Sequence, residues 1–100
     1  MKEYVVFITA QANNELYDLV DYIANVVFSP MAARRYYDGI IEEINKLRTL
    51  AGSLQIDENL SLQMGYVVRR TRYKKIAIIY SVDGDVVYIH HIKPGAMIAY

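Results

Sequence analysis

The chain of 100 residues reads as a single α+β domain of order β-α-α-β-β-β, a helical hairpin packed on one face of a mainly antiparallel four-stranded sheet. Three observations predict it. Residues 12–51 carry two apolar stripes at helical spacing. Residues 76–92 carry two β-rich runs around Asp83-Gly84, a strong short-range hairpin signal. Ahead of the helices, residues 3–8 (EYVVFI) are β-branched and aromatic.

The first strand is expected inside the sheet, because its apolarity is nearly continuous. Thr9 follows at the place of an N-cap. Ala12, Leu16, Leu19, Val20, Ile23, Val26 and Val27 then form the buried stripe of a first helix. Ser29-Pro30 opens a second, since serine caps orphan amides and proline suits the first helical position. Ala33, Tyr37, Ile40, Ile44, Leu47 and Ala51 hold its stripe, and Gly52 ends it. So short a link makes the helices an antiparallel pair. Residues 52–65 have no clear period and read as a surface connection with room for one short turn of helix.

Residues 66–72, 76–82 and 86–92 supply the remaining strands. A two-residue loop at Asp83-Gly84 puts Ile76, Ile78, Tyr80 and Val82 on a core face with Asp85, Val87, Ile89 and His91. A turn at Tyr73-Lys74 pairs Arg72 with Lys75 and Arg70 with Ala77. Arg70, Arg72, Lys75, Tyr88 and His90 then converge on the free face. Arg69 and Thr71 point to the core side, where Arg69 must snorkel or pair at an edge. Lys93-Pro94-Gly95 breaks the last strand and leaves an apolar tail, residues 96–100, to fold back or bind a partner.

Composition narrows the function classes. Lys+Arg and Asp+Glu are 11 each, so nothing overall favours nucleic acid or an anionic membrane. Locally, Arg69, Arg70, Arg72, Lys74 and Lys75 form a basic cluster with no acid among them, suited to a focused anionic contact. There is no cysteine, which removes disulfides, thiolate metal sites and cysteine nucleophiles. No run approaches a membrane span, MKEYVVFITA is too short and acidic for a secretory signal, and a cytoplasmic protein is expected. Ten tyrosines and 54% apolar residues exceed what a small core needs and point to surface kept for a protein partner.

The pattern resembles the RelE/ParE superfamily of toxins from type II toxin-antitoxin (plasmid stabilisation) systems over nearly the whole chain. The resemblance rests on a first strand ending in Thr9, the stretch LVDYIA at 19–24, and Ser29-Pro30 followed by Ala33 and Tyr37. It continues through Ile40, Ile44, Leu47, the Arg69-Arg70 pair, and the run from Ile76 to Val82 into Asp83-Gly84. It implies a growth inhibitor silenced by a cognate antitoxin, a segment of which is unfolded when free and buries tyrosines along the helical pair or the sheet. Some relatives cleave messenger RNA on the ribosome without a metal. ParE-type relatives act on DNA gyrase. A third outcome is a relative that keeps antitoxin binding but is not toxic.

Cleavage of RNA requires a proton acceptor, cations at the phosphorane and an acid for the leaving oxygen. Arg70, Arg72 and His90 are the candidates for that chemistry. Arg70, Arg72, Lys75, Tyr88 and Lys93 are the candidates for contact with the target or its phosphates. No cofactor or metal is expected. Family nucleases usually place a further cation just beyond the last strand, where this chain has Pro94-Gly95-Ala96-Met97 after Lys93. With zero net charge, that departure tilts the expectation toward gyrase and away from the ribosome.

Overall fold

The computed structural model describes residues 2–97. β1 (Val5–Ile8) leads into α1 (Ala10–Asn25) and α2 (Pro30–Leu50), which ends in a 3-10 turn at Ala51–Ser53. α3 (Glu58–Met64), β2 (Arg69–Tyr73), β3 (Ile76–Asp83) and β4 (Val86–Pro94) come next, then a 3-10 turn at Gly95–Met97. Residues 98–100 of the apolar tail lie outside the described residues.

Both long helices start where the sequence indicates. Thr9 Oγ1 accepts the Ala12 N–H at 3.2 Å and donates to the Ile89 carbonyl at 2.7 Å, so the residue that caps α1 also ties it to β4. Ser29 Oγ accepts the Ala32 N–H at 3.3 Å, with Pro30 in the first helical position. α2 ends at Leu50 rather than at Gly52; Gly52 sits in the following turn, where a Cβ would run into the Tyr4 hydroxyl.

The sheet order is β1-β4-β3-β2, with β1 parallel to β4 and the other pairs antiparallel. The sheet is therefore mixed. β1 is an edge strand, not the interior strand its apolarity suggests: Val5 is 67% and Phe7 46% exposed. Its continuous apolarity divides between two faces, with Val6 and Ile8 packed against the main core. In that core Leu16 of α1 and Ile40, Ile44 and Leu47 of α2 meet Ile78, Tyr80, Val87, Ile89 and Ile92 of the sheet. The buried Tyr80 hydroxyl donates to the Ala51 carbonyl at 2.8 Å.

Each hairpin turns one residue later than the sequence reading places it. Asp83 pairs with Val86 and Tyr73 with Ile76, leaving Gly84-Asp85 and Lys74-Lys75 as the loops. The first loop residue needs positive φ, which glycine supplies at 60° in Gly84 and which Lys74 adopts at 52°. Near the loop the face assignment holds, with Val82 opposite Val87. Farther on, Tyr80 pairs with Ile89 but Ile79 with His91, so His90 is an extra residue in β4. This bulge reverses the alternation. Ile92, expected on the free face, is 1% exposed in the core, and His91, expected there, is not part of it.

α3 is the larger departure. Asp57 caps it, accepting the Leu60 N–H at 3.0 Å, and Gly65 closes it at φ 80°. It lies on the side of the sheet opposite α1 and α2, where Leu60, Val68, Ala77 and Ile79 form a second buried cluster with Met64 against it. The face expected to be free is therefore partly covered.

Candidate functional site

β2 is short and outermost, so alternation sends Arg70 and Arg72 to one side of the sheet and Arg69, Thr71 and Tyr73 to the other. Arg69 donates to the Leu54 carbonyl at the sheet edge and lies close enough to Tyr80 for its charge to act there. Arg70 and Arg72 lie on the face away from α1 and α2, as expected from the sequence.

Arg70 stands between two depressions. One, of about 750 Å³, is lined by Gln55, Asp57, Glu58, Asn59, Arg69 and Arg70. The other, of about 320 Å³, holds Arg70, Arg72, Lys74 and Lys75 on one side and Pro94, Gly95 and Ala96 on the other. Arg70 Nη1 lies 3.6 Å from Asp57 Oδ2, and its main-chain N–H donates to Gln55 at 3.4 Å, so the arginine is anchored to the start of α3. Gly95 gives it room, since a Cβ there would stand 3.0 Å from Nη2. The Gly95 N–H also donates to the Lys75 carbonyl at 2.9 Å, fixing the far wall of the smaller cleft to the β2–β3 loop.

Arg72 is exposed beside the β2–β3 loop, and Lys75 is exposed within it. Lys74, in the same loop, rests over the Tyr36 ring at 5.2 Å and the Tyr73 ring at 5.6 Å. The cleft thus gathers Arg70, Arg72 and Lys75, a cationic recess able to grip a phosphate or carboxylate.

The other candidates lie elsewhere. Tyr88 is opposite Ser81 on β3 and tilts against Phe7 of β1, ring centroids 5.9 Å apart. His90 joins Ser81 Oγ through a 2.7 Å hydrogen bond and packs on Tyr66 at 5.3 Å. Burial pushes its imidazole below the ordinary 6.5, and the adjacent His91 adds to the shift. Along β3 the row of Arg72 and Ala77 lies four residues from that of Ser81 and Tyr88, about 13 Å at ~3.3 Å per residue, and the row of Arg70 and Ile79 only two, but the Arg70 guanidinium leans toward Gly95 at the Lys75 end. Lys93 directs its ammonium to Glu15 Oε2 at 3.3 Å. The residues expected to converge therefore form a cationic end, an aromatic-histidine end, and a lysine held at the margin by α1. Among the described residues, no three His, Asp or Glu side chains gather as metal ligands would.

A model of the family described as ParE toxin of type II toxin-antitoxin system, parDE, matches residues 6–99. The chain belongs to the ParE toxin family. It is the toxin component of a type II toxin-antitoxin system. A solved structure titled "Chromosomal ParDE TA system from P. aeruginosa" shares the fold, with a TM-score of 0.76 over 92% of this chain and 96% of that one, at 19% identity. No curated protein matches the chain.

Sequence reasoning overlooked two acids of this ParE-family chain that organise the basic residues. Asp57 precedes a stretch ending in Gly65, and that cap-to-cap bracket is a readable sign of a short helix. Glu15 has no local signal, because its contacts at His91, Ile92 and Lys93 are 76 or more positions away. No helix among the described residues is long and apolar enough to cross a membrane.

Proposed function

We propose that this ParE-family toxin acts in the cytoplasm on DNA gyrase and is silenced there by a cognate antitoxin. Arg72 and Lys75, with Arg70 braced behind them, make the ionic contact with the target, and Tyr88 and Lys93 border the same face. The separation of the arginines from His90 carries this reading. RNA cleavage needs a proton acceptor and cations around one phosphate, whereas here the Arg70 guanidinium turns toward Gly95 beside the β2–β3 loop while the His90 ring is bonded to Ser81 toward the other end of β3. Holding a folded protein target requires no such convergence. The antitoxin segment lies over exposed aromatic surface, with Tyr17 and Tyr22 on α1 as the first anchors.

The test is induction of the toxin without its antitoxin, followed by measurement of plasmid supercoiling, the DNA-damage response and cleavage sites in messenger RNA. Altered supercoiling with damage signalling and intact messages is the expected result. Cuts within messages on ribosomes would assign the chain to the RNA-cleaving branch. Normal growth would leave antitoxin binding as its retained property.

A further inference from the structure

Among the described residues, none pairs with the outer side of the β1 backbone. In its parallel pairing with β4, the Val5 N–H donates to the Asp85 carbonyl at 2.8 Å and the Thr9 N–H to the Ile89 carbonyl at 3.1 Å. The odd-numbered residues thus turn their main chain toward β4, and the N–H and C=O groups of Val6 and Ile8 point away from the sheet. The opening is bounded at both ends: the Tyr4 N–H donates to the Arg48 carbonyl at 2.7 Å, and Thr9 caps α1. Between these bounds lies VVFI, with none of the lysines, prolines or inward charges that usually guard a sheet edge. Val5 and Phe7 are exposed on the face away from the long helices.

We propose that this edge is a homodimerisation seam, joining β1 of two copies antiparallel about a two-fold axis at Phe7 into one eight-stranded sheet. The bounds select the register. Setting Val6 opposite Ile8 of a second copy, and Ile8 opposite its Val6, satisfies every outward-pointing group of both strands in four main-chain hydrogen bonds. A shift by one pairing step either way would call on Tyr4, whose N–H is already engaged, or on the first residue of α1. In the chosen register Phe7 meets its counterpart at the axis in a non-hydrogen-bonded position, where opposed side chains come closest. Each Phe7 already leans on Tyr88, so the seam carries an unbroken row of four aromatic rings. The self-complementary pattern is what an isologous contact requires, and zero net charge lets two copies approach without mutual repulsion.

The test is sedimentation of the full chain from low micromolar to millimolar concentration, with amide exchange read at Val6 and Ile8. A concentration-dependent dimer is expected, with Val6 and Ile8 amides slowing as it forms and those of Val5 and Phe7 unchanged. Phe7→Glu places two like charges at the axis and should weaken association at least tenfold. Val6→Pro removes an outward N–H that β4 does not use, a substitution an edge strand tolerates, and should do the same if the first variant fails to fold. A monomer at millimolar concentration, or a dimer unaffected by a folded variant, overturns the proposal. So does protection of Val6 and Ile8 that develops only when antitoxin is added, which would assign the edge to that partner.

Discussion

The Glu15 carboxylate accepts the Ile92 main-chain N–H at 3.1 Å, at the point on β4 where β1 has already turned away into α1. The same carboxylate lies 3.3 Å from His91 Nδ1 and 3.3 Å from the Lys93 ammonium. A helix side chain thus takes over from a strand that has ended. Glu15→Ala leaves a strand amide without its acceptor and should destabilise the fold by about 1–3 kcal/mol, while Glu15→Gln keeps an acceptor and should cost less. Urea denaturation of the two variants checks the order.

Gly39 lies within α2, where alanine would ordinarily stabilise by ~1 kcal/mol. Here a Cβ would meet the Tyr73 ring, which Tyr36 also holds edge-on at 5.5 Å. Gly39→Ala should therefore destabilise, by roughly 1–3 kcal/mol as overpacking does. A thermal melt gives the sign directly, and a stabilised variant would contradict the packing.

Burial raises the Tyr80 phenol to about 12, against a smaller lowering by the Arg69 charge. The unfolded chain ionises near 10, so stability is present below that pH and lost as the pH climbs from about 10 to 12. Ultraviolet titration should show one late phenol that disappears in Tyr80→Phe. That variant also strands the Ala51 carbonyl and should lose about 1–3 kcal/mol.

His90 has the opposite sense. Its folded value lies below 6.5, so the neutral ring is favoured in the native state and the unfolded chain protonates first as the pH falls. The His90 share of stability is intact above 6.5 and declines below it toward the lower folded value. His90→Asn should flatten the fall in urea midpoint between neutral and mildly acid pH; an unchanged slope would place that dependence elsewhere.

Arg70 and Arg72 should separate experimentally. Arg72 is exposed, so Arg72→Ala should alter stability by no more than about 0.5 kcal/mol and, if it grips the target, reduce toxicity roughly ten- to a hundredfold, the worth of a charged hydrogen bond. Arg70→Ala also releases Asp57 at the α3 cap and should lower the melting temperature as well. Growth after induction, set beside melts of both variants, distinguishes gripping from bracing.

Much of the architecture was legible because it rests on local rules. The Thr9 and Ser29-Pro30 caps, the stripe from Ala33 to Leu47 and the core alternation of Ile76, Ile78 and Tyr80 each follow from a few neighbouring residues. What the sequence concealed depends on distant parts of the chain. VVFI looks like an interior strand because apolar residues serve both its faces, and nothing local says that one side has no neighbour. Asp83-Gly84 marks the hairpin but not its register, since glycine can occupy either loop position at positive φ. The His90 bulge and the Glu15 clamp appear only when α1 and β4 are placed side by side. Arg70 and Arg72 were correctly assigned to the face opposite the helical pair, yet the distance between them and His90 depends on register, and no local pattern gives it.

The strand synthesised last is flanked on both sides by strands made before it. Val5 waits for Val86, 81 positions later, and β3 for the stretch reaching Pro94. A ribosome must therefore expose everything from Val5 to Pro94 before the sheet can close, and such remote pairing is slow to find. A chain that has not yet reached Val86 would have helices but no joined sheet, so the harmful surface is assembled only after β4 has followed the helices out, when an antitoxin can already be waiting for it.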